Sequence, residues 1–378
     1  MRCLSVALGA LVALGCSDSE PPAPPPHQPR CPLEASNPRF VQIEALSNEL
    51  MIARRSDGTL WCWGADAANY CSDGGRAWAT RTEVDCVESA SFGGLAIAAH
   101  PSGGITIWGG LTSSYIGSDP VGDSAPLSAP IRTVAAGGGH AILLDVDGGV
   151  WLRGRLSFSW MADDMIDSPD AFLRLPFPAP AVSISDGSAV CAVLSTGAVA
   201  CVGVQHGGSL GLDPEITALR TPTVIAIDEP VQEIATSISS CALLVDGKIQ
   251  CAGPNSFGQL GRPRSDDPQP SFVTVEGVPP AQRIKWGTEG FNACALSHGS
   301  VWCWGSYAFE ALHPSDQGTI LPTRVEPFDD VVDFAVSTFS LCVLREDGSM
   351  WCRGYGARGN CSEGFDWTEV SFEECWTI

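Results

Sequence analysis

Seven glycines, each closing a short apolar strand, recur along the chain at Gly64, Gly109, Gly154, Gly203, Gly253, Gly305 and Gly354, in steps of 45, 45, 49, 50, 52 and 49 residues. A period of this size marks units too small to bury their own apolar surface, so that neighbours must stack. Four residues before each marker stand Leu60, Ile105, Val150, Val199, Ile249, Val301 and Met350. Two before it stand Cys62, Ile107, Leu152, Cys201, Cys251, Cys303 and Cys352. The opposite strand face carries Trp61, Trp63, Trp108, Trp151, Trp302, Trp304 and Trp351, where a sheet with one solvated face would turn polar. Apolar residues on both faces require a neighbouring sheet on each side, and repetition around an axis supplies one. The expected fold is all-β, a seven-bladed β-propeller over residues 39–378.

Each strand is one arm of a hairpin. Asp57-Gly58, Asp147-Gly148, Asp246-Gly247 and Asp347-Gly348 all stand seven and six residues before their marker. Asp-Gly between apolar strands is a hairpin signal, because Gly takes positive φ without steric cost. The fifth copy reads CALLVDGKIQCAGPNSFGQLG from Cys241 to Gly261, and the seventh reads CVLREDGSMWCRG from Cys342 to Gly354. Both resemble the repeat of the regulator-of-chromosome-condensation family. The resemblance is specific in copies 5 to 7 and degenerate in copies 2 and 3. It implies a propeller that binds other molecules: the family includes a nucleotide-exchange regulator on chromatin and, among secreted bacterial members, a protein inhibitor of β-lactamases. Blade 1 opens at Arg39-Phe40-Val41-Gln42-Ile43 with no strand before it, while Trp367-Thr368-Glu369-Val370 follows blade 7 without a hairpin. The C-terminal strand is therefore expected to pair with blade 1 and close the ring.

The first residues read as a targeting segment. A basic start at Met1-Arg2, an apolar run from Leu4 to Leu14 too short to span a bilayer, and small Gly15 before Cys16 predict a signal peptide over residues 1–15. Ala13-Leu14-Gly15-Cys16 resembles a bacterial lipobox, which implies acylation of Cys16. The Pro-rich stretch that follows, within residues 16–38, reads as an extended tether. The expected location is the bacterial cell envelope, outside the cytoplasm, the protein being lipid-anchored or secreted, with membrane contact only through the N-terminal lipid. A net charge of −22 would repel a phosphate backbone, so nucleic acid is not an expected partner. An unidentified protein or envelope component is expected instead, bound by a monomer.

Sixteen Cys residues fit an oxidising compartment, and fourteen remain once Cys3 and Cys16 are set aside. Four pairs flank hairpin turns: Cys191 with Cys201, Cys241 with Cys251, Cys294 with Cys303, and Cys342 with Cys352. Facing positions on antiparallel strands bring their Cβ atoms within reach of a disulfide. Ile97 with Ile107 and Ile142 with Leu152 fill the same two columns in blades 2 and 3, as a buried packing role predicts. Matching spacing from the markers, to within one residue, suggests Cys71 with Cys86 and Cys361 with Cys375, and elimination leaves Cys31 for Cys62. No Cys-x-x-Cys occurs and the His residues are scattered, so neither a metal nor a cofactor is expected.

Strings that suggest catalysis have structural readings. Gly207-Gly208-Ser209-Leu210-Gly211 matches a nucleophile elbow, yet no helical period follows it, and Ser209 occupies the place of Gln259 in the next copy. Asp163, Asp164, Asp167 and Asp170 lack the ligand rhythm and turn glycine of a calcium loop. The connectors after the markers differ most between copies and carry aromatic residues that the strands do not require. Phe158, Trp160, Tyr307, Phe309, Tyr355 and Phe365 are the expected binding residues. An envelope hydrolase or lyase with its site at the propeller axis is the alternative, and it requires titratable groups converging there.

Overall fold

The computed structural model describes residues 37–45, 50–64, 80–81, 86–92, 96–101, 104–108, 129–137, 140–157, 165–306, 319–354 and 366–370. Among them the chain forms 27 strands and no helix. The strands fall into seven antiparallel sheets, each a run of consecutive strands. Blade 1 comprises β1 (Phe40–Ala45), β2 (Leu50–Arg55), β3 (Leu60–Gly64) and β4 (Thr80–Arg81). Blade 2 contains β5 (Ser89–Phe92), β6 (Ala96–Ala99) and β7 (Ile105–Trp108). Blade 3 runs from β8 (Ile131–Ala136) through β9 (His140–Asp145) and β10 (Val150–Ser157) to β11 (Met165–Leu175). Blades 4 to 7 begin at β12 (Ala181–Ser185), β16 (Val231–Thr236), β20 (Arg283–Trp286) and β24 (Val331–Val336), and each has four strands.

Alternate residues of each strand enter different cores, as period-two side-chain direction dictates. Leu50, Ile52, Leu60 and Cys62 of blade 1 pack with Val87, Ala90 and Ala98 of blade 2. Met51, Ala53 and Trp63 of the same hairpin turn the other way, against Cys342, Leu344 and Met350 of blade 7. Five further clusters join blades 2 to 3, 3 to 4, 4 to 5, 5 to 6 and 6 to 7, so that apolar cores run all the way round. Cys191, Cys241, Cys294 and Cys342 stand in register with Cys201, Cys251, Cys303 and Cys352 and are bonded to them, Cα atoms 4.1 Å apart in each pair. Ile52 with Cys62, Ile97 with Ile107 and Ile142 with Leu152 hold the same register places in blades 1 to 3. Cys62 and Cys86 are each in a disulfide. Cys31, Cys71, Cys361 and Cys375 lie outside the described residues, as does Cys16.

The markers are glycine because of a close approach at a kink. The register between third and fourth strands shifts at Gly154, Gly203, Gly253 and Gly305. There φ is strongly positive, 129° at Gly203, and a Cβ on that residue would lie 2.8 Å from the Cα of Ala189 on the facing strand.

The closure expected from sequence is not the one found. The C-terminal strand β27 (Thr368–Glu369) pairs with β26 (Met350–Gly354) of its own blade, Trp351 opposite Glu369 and Cys352 opposite Thr368. Likewise β15 (Ala218–Val224), containing Pro222-Thr223-Val224, pairs back onto β14 (Val199–Val204) of blade 4. The strands before each new blade are thus the outer strands of the preceding blade, and β4 fills that place in blade 1. What joins blades is lateral. The N–H groups of Val87, Ala181, Val231, Ala281 and Val331 donate to the carbonyls of Gly58, Gly148, Gly197, Gly247 and Gly299 in the hairpin turn of the blade before, at 2.8–2.9 Å.

Candidate functional site: the axial cavity

The innermost strands surround a cavity of about 1010 Å³, to which all seven blades contribute. Each of these strands sends one apolar residue into an inter-blade core: Ile43, Ala90, Val134, Ile184, Ile234, Ile284 and Phe334. The residues on either side of it point the other way, towards the axis. Those before it are Gln42, Ser89, Thr133, Ser183, Glu233, Arg283 and Asp333, and those after it are Glu44, Ser91, Ala135, Ser185, Ala235, Lys285 and Ala335. All but Asp333 and Ala335 line the cavity. One arc of the wall, blades 2 to 4, is therefore rich in hydroxyls, while Glu233, Arg283, Lys285 and Glu44 of blades 5, 6 and 1 supply charge.

Most of these groups bind the neighbouring blade. Ser91 Oγ accepts from Ala136 N at 3.1 Å, and Ser185 Oγ accepts from Thr236 N at 3.0 Å. Asp333 Oδ2 accepts from Ile43 N at 2.9 Å, across the junction of blades 7 and 1. Lys285 completes that junction from blade 6: its Nζ donates to Ile43 O at 3.0 Å, Glu44 Oε1 at 3.1 Å and Asp333 Oδ1 at 3.1 Å. An ammonium has three protons, and all three are used. Burial disfavours the Lys285 charge, but Asp333 and Glu44 outweigh it and hold the ammonium above its ordinary pKa.

Two further charged groups line this wall, and one of them also binds the neighbouring blade. Glu233 accepts a hydrogen bond from the backbone of Ile284, and its pKa is pushed up to about 7. Burial is the main cause; Arg283 and Lys285 partly offset it, and Glu44 adds to it. Arg283, at the same register place in the next blade, is exposed in the cavity and has no hydrogen bond or ion pair among the described residues.

At one end of the wall, buried His140 Nε2 lies 2.8 Å from Asp186 Oδ1 and its Nδ1 lies 3.1 Å from Arg155 O. Both ring nitrogens face acceptors, which a doubly protonated imidazolium satisfies. Burial works against that charge, but Asp186 and the two hydrogen bonds prevail and raise the His140 pKa. The pair ties blade 3 to blade 4. Asn292, which like His140 stands opposite a marker glycine, ties blade 6 to blade 7 through Ser337 O and Thr338 O.

The candidate nucleophiles are structural. Ser209 is buried, and its Oγ accepts from His206 N at 3.1 Å, closing a turn. Ser297 Oγ is 3.0 Å from His298 Nδ1 but donates its only proton to Pro280 O, so the imidazole can only donate to it. Asp167 pairs with Arg155 at 3.1 Å, whereas Asp163, Asp164 and the side chain of Asp170 lie outside the described residues. Phe158, Trp160, Tyr307, Phe309, Tyr355 and Phe365 also lie outside them. The axial residues were not singled out from the sequence. Their signal was present, as a polar residue directly before an apolar one at the start of each copy: QIE, SAS, TVA, SIS, EIA, RIK and DFA.

Solved structures share this fold. Human WBSCR16 superposes with a TM-score of 0.70 over 83% of this chain and 94% of its own, at 18% identity. Prp20p from Saccharomyces cerevisiae superposes at 0.66 over 79% and 80%, at 16% identity. Yeast RCC1 (Prp20) in complex with Kap60 gives 0.65 over 79% and 78%, at 17% identity. The fold is an RCC1-like seven-bladed propeller. No protein-family model matches the chain, and no curated protein matches it in sequence. Its disulfides are those of a protein that folds under oxidising conditions.

Proposed function

We propose that the chain is a binding scaffold of the bacterial cell envelope, a monomer whose partner is a protein or another envelope component. In this reading residues 1–15 are a signal peptide, Cys16 carries lipid, and residues 16–38 hold the propeller off the membrane. Recognition falls to the connectors after the marker glycines, with Phe158, Trp160, Tyr307, Phe309, Tyr355 and Phe365 as anchors. The observation that carries the reading is the commitment of the axial charges: Lys285, Glu44 and Asp333 bind one another and the blade 1 backbone, which is how a scaffold uses polar groups. The similar propellers give precedent, since Prp20p was studied for its binding to Gsp1p and histones and was solved with Kap60.

The test compares capture of an envelope partner by the wild type and by the double variant Trp160→Ala with Tyr307→Ala. Capture should be abolished with the melting temperature nearly unchanged, because exposed aromatic anchors bury much area at little entropic cost. Unaltered capture, or loss of folding, would return these residues to the core. A second reading, an axial hydrolase or lyase, is favoured by one observation: a Glu233 carboxyl titrating at about 7 suits a general acid.

A further inference from the structure

On the axial wall the Arg283 side chain makes no hydrogen bond or ion pair among the described residues, and the Glu233 carboxyl accepts from the backbone N–H of Ile284, so both keep hydrogen-bonding capacity towards the cavity. They occupy equivalent places on β16 and β20 of adjacent blades, one carboxyl and one guanidinium, with the Arg283 charge acting to lower the Glu233 pKa and no ion pair between them among the described residues. An anion alone would meet Arg283 but also Glu233 and Glu44. A cation alone would meet Glu233 but also Arg283 and Lys285. A ligand carrying both charges close together satisfies both groups, and each contact is charge-assisted. On the far side of the cavity the hydroxyls of Ser89 and Thr133 offer neutral hydrogen bonds to the rest of such a ligand. A cavity of about 1010 Å³ is ample for a small molecule.

We propose that the axial cavity binds the zwitterionic group of a small amino acid, its ammonium on Glu233 and its carboxylate on Arg283. The proposal goes beyond the scaffold reading and does not depend on it, since no connector residue takes part. Charge on the ligand's ammonium finds its partner only when Glu233 is ionised. The groups facing that carboxyl are Arg283 and Lys285 from blade 6 and Glu44 from blade 1; from blade 4 the nearest titratable group on the wall is Asp186, which is paired with His140. Binding therefore strengthens as pH rises through neutrality.

The experiment is calorimetric titration of the whole propeller with the common L-amino acids and D-alanine at pH 8. The tightest binder is then repeated as its N-acetyl and carboxamide forms, and at pH 5.5. The proposal expects saturable 1:1 binding, with a loss on the order of tenfold to a hundredfold for either blocked form, the cost of leaving a charged group unpaired. Arg283→Gln should abolish discrimination between acid and amide, and Glu233→Gln should abolish both discrimination against the N-acetyl form and the pH dependence. Arg283 has no described bond to lose, so that variant should fold, as near-ultraviolet circular dichroism would verify. No binding at millimolar concentration, equal binding of blocked and unblocked forms, or unchanged discrimination in both variants overturns the proposal. Partner capture in the Trp160 and Tyr307 variant leaves these residues untouched, so the two readings fail separately.

Discussion

Glu233 shows how a single side chain on the axis couples structure to pH. Its carboxyl titrates at about 7 in the fold and near 4.5 in an unfolded chain. Between those values the native state binds more protons than the unfolded state, so stability falls as pH rises through this window. The full penalty, of the order of 3 kcal/mol, is present above pH 7. Glu233→Gln keeps an acceptor for the Ile284 backbone and removes the charge. It should melt higher than the wild type at pH 8 and close to it at pH 4.5, as thermal denaturation at the two values would show; an equal offset at both would mean that burial of the charge is not the cause. The sequence hid this residue for a physical reason. Glu233 lies in VQEIAT, and nothing local separates it from an exposed strand carboxylate such as Glu369. Its environment comes from Lys285, Arg283 and Glu44, 50 residues or more away in the chain, and only the ring brings them together.

Within the blade, local periodicity made the hairpins readable and left the outer strands ambiguous. Asp-Gly turns, a strictly apolar column and facing Cys pairs are properties of two adjacent strands, so Cys191 opposite Cys201 could be read from a ten-residue separation. The outer strand is reached by a long connector and could pair either back with its own blade or on with the next. Blade 1 seemed to lack a strand only because β4 is two residues long and follows a connector of unremarkable sequence. The hairpin disulfides have an energetic consequence. Each closes a loop of about ten residues, worth roughly 2.5 kcal/mol in the chain-entropy description. They are confined to blades 4 to 7, whereas aliphatic pairs hold the same places in blades 2 and 3. Under reduction, hydrogen exchange should accelerate in blades 4 to 7 and change little in blades 2 and 3. Uniform loosening of all seven would show that the ring, not the hairpin, is the unit the disulfides stabilise.

Across the whole molecule, the ring is a cycle of seven similar interfaces in which chain continuity is missing at one. Blades 1 and 7 are the first and last of the ring in chain order, and among the described residues no strand is exchanged between them. That junction has an apolar core of Ile43, Met51, Trp63, Leu344 and Met350, like the others, and in addition the Lys285 ammonium reaching from blade 6 past Asp333 to Ile43 and Glu44. The charge cluster is thus placed where covalent connection is lacking. Repeat proteins of this kind open where an interface is weakest, and removing one member of a buried charge network leaves the others uncompensated. The most direct measurement is hydrogen exchange, resolved by peptide, on the wild type and Lys285→Met. The ring closure described here predicts loss of protection in β1 and β24 first, with blades 3 and 4 unchanged. Protection unaltered in those two strands, or lost equally from every blade, would contradict it.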